Sequence, residues 1–130
     1  MKKEITIDGN RIYDKKSFYE EINRVFMYNE EWKLGESLDA LDDLFYGGFG
    51  CVKVNEEVRL IWKNFKENQQ LFGYDFTLNF YREKLQNPQM FDSKLIEKRL
   101  KELEEGKGMT YFDMILAIIS EHPTIELVKK

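Results

Sequence analysis

The spacing of apolar residues changes period several times along this chain, and each change marks an element. Residues 4–7, Glu-Ile-Thr-Ile, alternate strictly and run into Asp8-Gly9-Asn10, which predicts a first strand ending in a turn. Beyond Asp14, whose carboxylate suits a helix N-cap, Phe18, Ile22, Val25 and Phe26 fall at i, i+4, i+7 and i+8, one buried stripe of a helix. Asn29-Glu30-Glu31 breaks that pattern. Ser37 is then placed to cap a short helix over 38–46, with Leu38, Leu41, Leu44 and Phe45 on its apolar side and Gly47-Gly48 as its stop.

Residues 58–62, Val-Arg-Leu-Ile-Trp, are β-branched and aromatic and predict a mostly buried strand. A helix carrying Phe65, Leu71 and Phe72 follows and ends at Gly73. The stretch 74–108 is less regular, with a helix around 77–85, a breaker at Asn87-Pro88 and a charged helix over 92–105 closed by Gly106. Thr110 opens an apolar helix with Phe112, Ile115, Leu116 and Ile119 on one side, His122-Pro123 ends it, and residues 125–128 read as a last strand. Three strands separated by helices, with no hairpin turn between them, imply parallel pairing through helical crossovers. The expected fold is α/β, in one domain spanning 1–130.

Composition narrows the classes. Among 130 residues, 42 % are apolar and 15 % aromatic, enough to build a core, so intrinsic disorder is excluded. A single cysteine, Cys51, rules out a disulfide scaffold and reads as a small buried hydrophobe. No apolar run approaches the roughly 20 residues of a membrane span, and the first residues lack the apolar stretch of a secretory signal. A cytoplasmic location is expected. A pI near 5.2 counts against nucleic acid as the direct ligand.

The acids are concentrated. Residues 29–43 hold Glu30, Glu31, Glu36, Asp39, Asp42 and Asp43 against one base, Lys33, a charge of −5, while the other 115 residues carry +1. Asp39, Asp42 and Asp43, at i, i+3 and i+4, are expected on one exposed helical side, where each like-charge pair costs a few tenths of a kcal/mol. Such a face is either simply solvated or built to bind a cation. A metal would need ligands converging from elsewhere, and no Asp-x-Asp-x-Asp-Gly loop is present. Glycoside hydrolysis needs two carboxyl groups facing across a cleft, which one helix side does not supply. Cys51 has no base nearby in sequence, and His122 is expected to serve as a cation at a helix C-terminus. Gly47-Gly48-Phe49-Gly50 follows a helix, not a strand, and fits a turn better than a phosphate loop. No catalytic site, cofactor or metal is expected.

The segment Leu34-Gly35-Glu36-Ser37-Leu38-Asp39-Ala40-Leu41-Asp42-Asp43 closely resembles the signature of the barstar family, small intracellular inhibitors of barnase-type ribonucleases. Ile5-Thr6-Ile7-Asp8-Gly9 resembles the family's first strand and turn, and residues 59–65 its second strand and next helix start. Residues 112–120 and 125–128 are similar in pattern to its last helix and strand. The resemblance implies a small three-stranded parallel sheet packed against helices, with an extra helical insertion around 74–108. It also implies a non-enzymatic, monomeric inhibitor whose acidic helix plugs the basic active site of a secreted ribonuclease or related toxin nuclease. The implied contact residues are Lys33, Leu34, Gly35, Ser37 and Leu38, followed by Asp39, Asp42, Asp43, Tyr46 and Gly47. Asp39 and Asp43 match the helix aspartates that carry most of the ionic recognition, with Asp43 deepest.

Lys33 stands where the resemblance would place a contact tyrosine, with Trp32 beside it, and Asp42 replaces a tryptophan. These departures favour an alternative, a barstar-like interaction or regulatory module with a non-ribonuclease partner. A metal-dependent hydrolase using Asp39, Asp42 and Asp43 is the third reading.

Overall fold

The computed structural model describes residues 2–130 and contains, among them, three β-strands and six α-helices. β1 (Lys3–Asp8) leads through one 3₁₀ turn at Gly9–Arg11 into α1 (Lys15–Phe26), followed by α2 (Leu38–Tyr46) and β2 (Val58–Lys63). Then come α3 (Phe65–Leu71), α4 (Tyr74–Leu85), α5 (Ser93–Glu104), α6 (Tyr111–Ser120) and β3 (Ile125–Lys129). The strands form one sheet in the order β1-β2-β3, parallel throughout, as the absence of hairpin turns predicts.

Local chemistry sets the helix starts. Asp14 accepts from the Ser17 amide at 2.8 Å and Ser17 Oγ accepts from the Asp14 amide, a reciprocal cap that holds the Asp14 carboxyl below its ordinary pKa. Thr110 and Asp113 form the same box on α6. α4 starts at Tyr74, three residues earlier than the sequence pattern suggests. The Thr77 hydroxyl bonds the Gly73 carbonyl at 2.7 Å, so the turn that looks irregular in sequence is helical. α5 begins at Ser93 with Asp92 as its cap, accepting from two backbone amides.

The sheet is two-faced. Ile5, Ile7, Leu60 and Trp62 point into the helices. On the opposite face Glu4, Arg59 and Glu126 lie in register, and Arg59 Nε reaches Glu126 at 3.0 Å. Trp62, fully buried, lies against Phe18, Phe65 and Phe112. Its indole N–H donates to Asn68 Oδ1 at 2.7 Å, and the Asn68 amide donates to the Gly9 carbonyl at 3.2 Å. One buried asparagine thus ties β2, α3 and the turn after β1 together.

The 74–108 segment forms its own small apolar layer. Leu78 and Tyr81 of α4 meet Ile96 and Leu103 of α5, with Phe80 and Met114 packing against both this layer and the main core. Thr77 Oγ1 also accepts from the Tyr111 amide at 2.8 Å, so α4 is fixed to the start of α6. None of the described helices is long and apolar enough to cross a membrane.

Replacing Asn68 with Ala should lower unfolding free energy by about 2–3 kcal/mol, because the Trp62 indole N–H is then buried without an acceptor. The expected readout is a lower urea midpoint with an unchanged slope. An unmoved midpoint would refute the role given to this bridge.

Candidate functional site

α2 is a nine-residue helix whose ends are built deliberately. Ser37 Oγ accepts from the Ala40 amide at 3.1 Å at its start. At its end Gly47 takes φ 87°, and a Cβ there would lie 2.7 Å from the Lys53–Val54 backbone, so only glycine fits. At Gly50, φ 73°, a Cβ would lie 2.9 Å from the Phe26 carbonyl oxygen. Leu41, Leu44 and Phe45 are buried and bind the helix to the core, while Asp39, Asp43 and Tyr46 are exposed on the other side.

Asp42 differs from its neighbours. Its Oδ1 lies 2.7 Å from Nε2 of His122, which is only 4 % exposed, and the Asp42 side chain is 31 % exposed. The imidazole donates to the carboxylate and meets the Tyr46 ring edge-on, with centroids 4.5 Å apart. The expectation of three equivalent aspartates on one open side is therefore corrected. Asp39 and Asp43 face solvent, whereas Asp42 is turned to a partner eighty positions away. His122 sits just past the end of α6, as expected, its amide donating to the Ile119 carbonyl, and its buried ring ties α2 to the turn before β3.

The loop before α2 is held rigidly. The Asn23 side chain pairs with Leu34 as a strand would, accepting from its amide at 2.7 Å. Leu34 is buried in the core, so its side chain anchors the loop. Glu30 accepts from the Gly50 amide at 2.7 Å and Asn29 donates to the Gly50 carbonyl at 2.9 Å. Glu30 is thus spent on architecture. Trp32, half exposed, packs on Phe49 with centroids 5.0 Å apart. Lys33, Gly35 and Ser37 are exposed and Leu38 is half-buried.

Spacing could not reveal Asn23, Glu30 or His122 as supports of this site. A lone aliphatic residue in a polar loop was the available signal for Leu34 as an anchor. Among the described residues no three His, Cys, Asp or Glu side chains gather as a metal would require. Cys51 is buried and burial pushes its thiol pKa up. Lys84 of α4 lies over the Phe80 ring, 4.4 Å from its centroid, and has its pKa lowered by burial and by Lys15.

A family model described as Barstar (barnase inhibitor) matches residues 2–79. The chain belongs to the barstar family. No curated protein matches it. Barstar family members are non-enzymatic inhibitors, and membership implies a barnase-type ribonuclease as binding partner. The matched part runs from before β1 into α4, so α5, α6 and β3 lie beyond it. His122, which holds Asp42 of the barstar-like helix, comes from that unmatched part.

His122→Ala should destabilise the protein by about 2–3 kcal/mol through loss of a buried bond to a charged group. Asp43→Ala should stay within about 0.5 kcal/mol of the parent, since that carboxylate is exposed near a helix C-terminus, where the dipole disfavours it. Comparable losses from both variants in chemical denaturation would refute this division of roles.

Proposed function

We propose that this chain is a cytoplasmic, monomeric inhibitor that blocks the basic active site of a barnase-type ribonuclease or related toxin nuclease with the exposed face of α2. The observation that carries the reading is a capped, core-anchored helix presenting Asp39 and Asp43 to solvent within a segment of charge −5. An inhibitor that competes with RNA must be acidic where the enzyme is basic, and carboxylates on a fixed helix lose little freedom on binding. Long-range attraction to a basic cleft also speeds capture. Lys33, Gly35, Ser37, Leu38, Tyr46 and Gly47 would border the contact, with Leu34 contributing backbone only. The whole chain acts as one domain in this reading, in keeping with Phe80 and Met114 packing against both apolar clusters.

A second reading, a non-ribonuclease partner, is favoured by one feature. Lys33 exposes a cation beside the acidic face, where a basic enzyme would be repelled.

Calorimetric titration with a barnase-type ribonuclease at low and at physiological salt separates the two. The inhibitor reading expects salt-weakened binding in which Asp43→Ala raises Kd by more than about tenfold, about 1.4 kcal/mol. Asp42→Ala should cost less, because its carboxylate already serves His122. Equal losses would overturn the assignment of Asp43 as the deeper contact. No binding at either salt would favour the second reading.

A further inference from the structure

His122 is too buried to meet a partner itself, with its side chain only 4 % exposed. Any part it plays in recognition must pass through the side chains it touches on α2. These are Asp42, bonded at 2.7 Å, Tyr46, with ring centroids 4.5 Å apart, and Phe45, with centroids 5.9 Å apart. Its own backbone is fixed on both sides. The His122 amide donates to the Ile119 carbonyl at 3.1 Å, and its carbonyl accepts from the Ile125 amide at 3.0 Å. Ile125 opens β3 and lies in register with Val58 of β2. The imidazole therefore reaches α2 from main chain locked to both α6 and the sheet.

Of its three contacts, Tyr46 bears most directly on binding. Asp39, Asp43 and Tyr46 fall at i, i+4 and i+7, so they form one stripe of the helix, and all three are exposed, Tyr46 to 63 %. Tyr46 is also the last residue of α2, where helices fray, and Gly47 and Gly48 beyond it carry no side chain to steady a ring. The imidazole does steady it, crossing the Tyr46 ring at 83°. Asp42, four positions before Tyr46, holds the imidazole in turn. A side chain ordered before the encounter removes an ordering cost from association.

We propose that His122 is a positioning residue for nuclease recognition: held by Asp42, it presets the Tyr46 ring beside Asp43, so that a cationic side chain of the enzyme's cleft paired with Asp43 also lies against that ring. Asp42 then serves affinity through His122 and not as an ionic contact. The residue that tunes the acidic helix comes from beyond the part of the chain that the family model matches. This inference rests on the inhibitor reading and deepens it.

The test is a double-substitution cycle on the full chain, with Kd for a barnase-type ribonuclease measured by calorimetry at physiological salt. His122→Gln keeps an N–H for Asp42 and loses the ring. It should raise Kd about fivefold in the parent and less than about twofold in a Tyr46→Ala background. A purely structural role gives the same factor in both backgrounds. That result, or a factor below about two in the parent, would overturn the proposal. A second measurement needs no substitution: nuclear Overhauser contacts between the His122 and Tyr46 rings should be present in the free chain and persist in the complex. Their absence in either state would overturn it even if His122→Gln failed to fold. A strong Asp43→Ala effect without the coupling removes only the role of His122. If Asp43→Ala is harmless, or the parent does not bind, the inhibitor reading falls and the proposal with it.

Discussion

A nine-residue helix bearing three aspartates and no base would not hold together on its own, and its burial against the core is what the rest of the site depends on. Short helices are marginal in water, and each like-charge pair here costs a few tenths of a kcal/mol. Against that stand Leu41, Leu44 and Phe45, all buried and each contributing roughly 1.5–3 kcal/mol. Packing exceeds repulsion several-fold. The margin lets the outward face carry charges chosen for a partner and not for the helix. Asp43, near the end of α2 where a cation would suit the dipole, is the clearest sign of that freedom.

Rigidity around the helix follows from polar groups, not from more apolar packing. Asn23, Asn29 and Glu30 each bind backbone of a loop that would otherwise wander, and all three bonds lie at 2.7–2.9 Å. Glu30 shows why charge counting alone overstates an acidic face. Its carboxylate lies in the −5 segment but is committed to the Gly50 amide, and Asp42 is committed to His122. The free acids that remain in that segment are Glu31, Glu36, Asp39 and Asp43, and they run from the loop before α2 onto the helix. The ionic surface is thus a band that begins before α2.

How much of this was legible in the sequence follows the range of the interaction concerned. Asp14, Ser37 and Thr110 were readable as caps because a cap acts within three residues. The parallel sheet was readable because a chain of strands without hairpin turns has few other pairings. α2 was bounded correctly by Ser37 and Gly47. The onset of α4 was missed because Thr77 bonds back to Gly73, and the bond to the Tyr111 amide that supports it spans 34 positions. The anchoring role of Leu34 is not legible in the sequence, since a loop residue's burial is decided by α1 lying beneath it. The His122–Asp42 pair was invisible for the same reason, and without it three aspartates at helical spacing look equivalent.

That pair also bears on how the chain differs from a bare copy of its family's helix. With tryptophan at position 42, α2 would carry an apolar contact; with aspartate it carries an acid that needs a partner. His122 supplies one from the turn between α6 and β3, beyond the part of the chain that the family model covers. The imidazole also contacts Phe45 and Tyr46, so the same side chain sits against one buried and one exposed ring of α2. The C-terminal elements therefore do more than complete the sheet. They set the orientation of the helix edge next to Tyr46. A helix edge supported by a side chain beyond the matched part can diverge in specificity while the motif itself stays fixed.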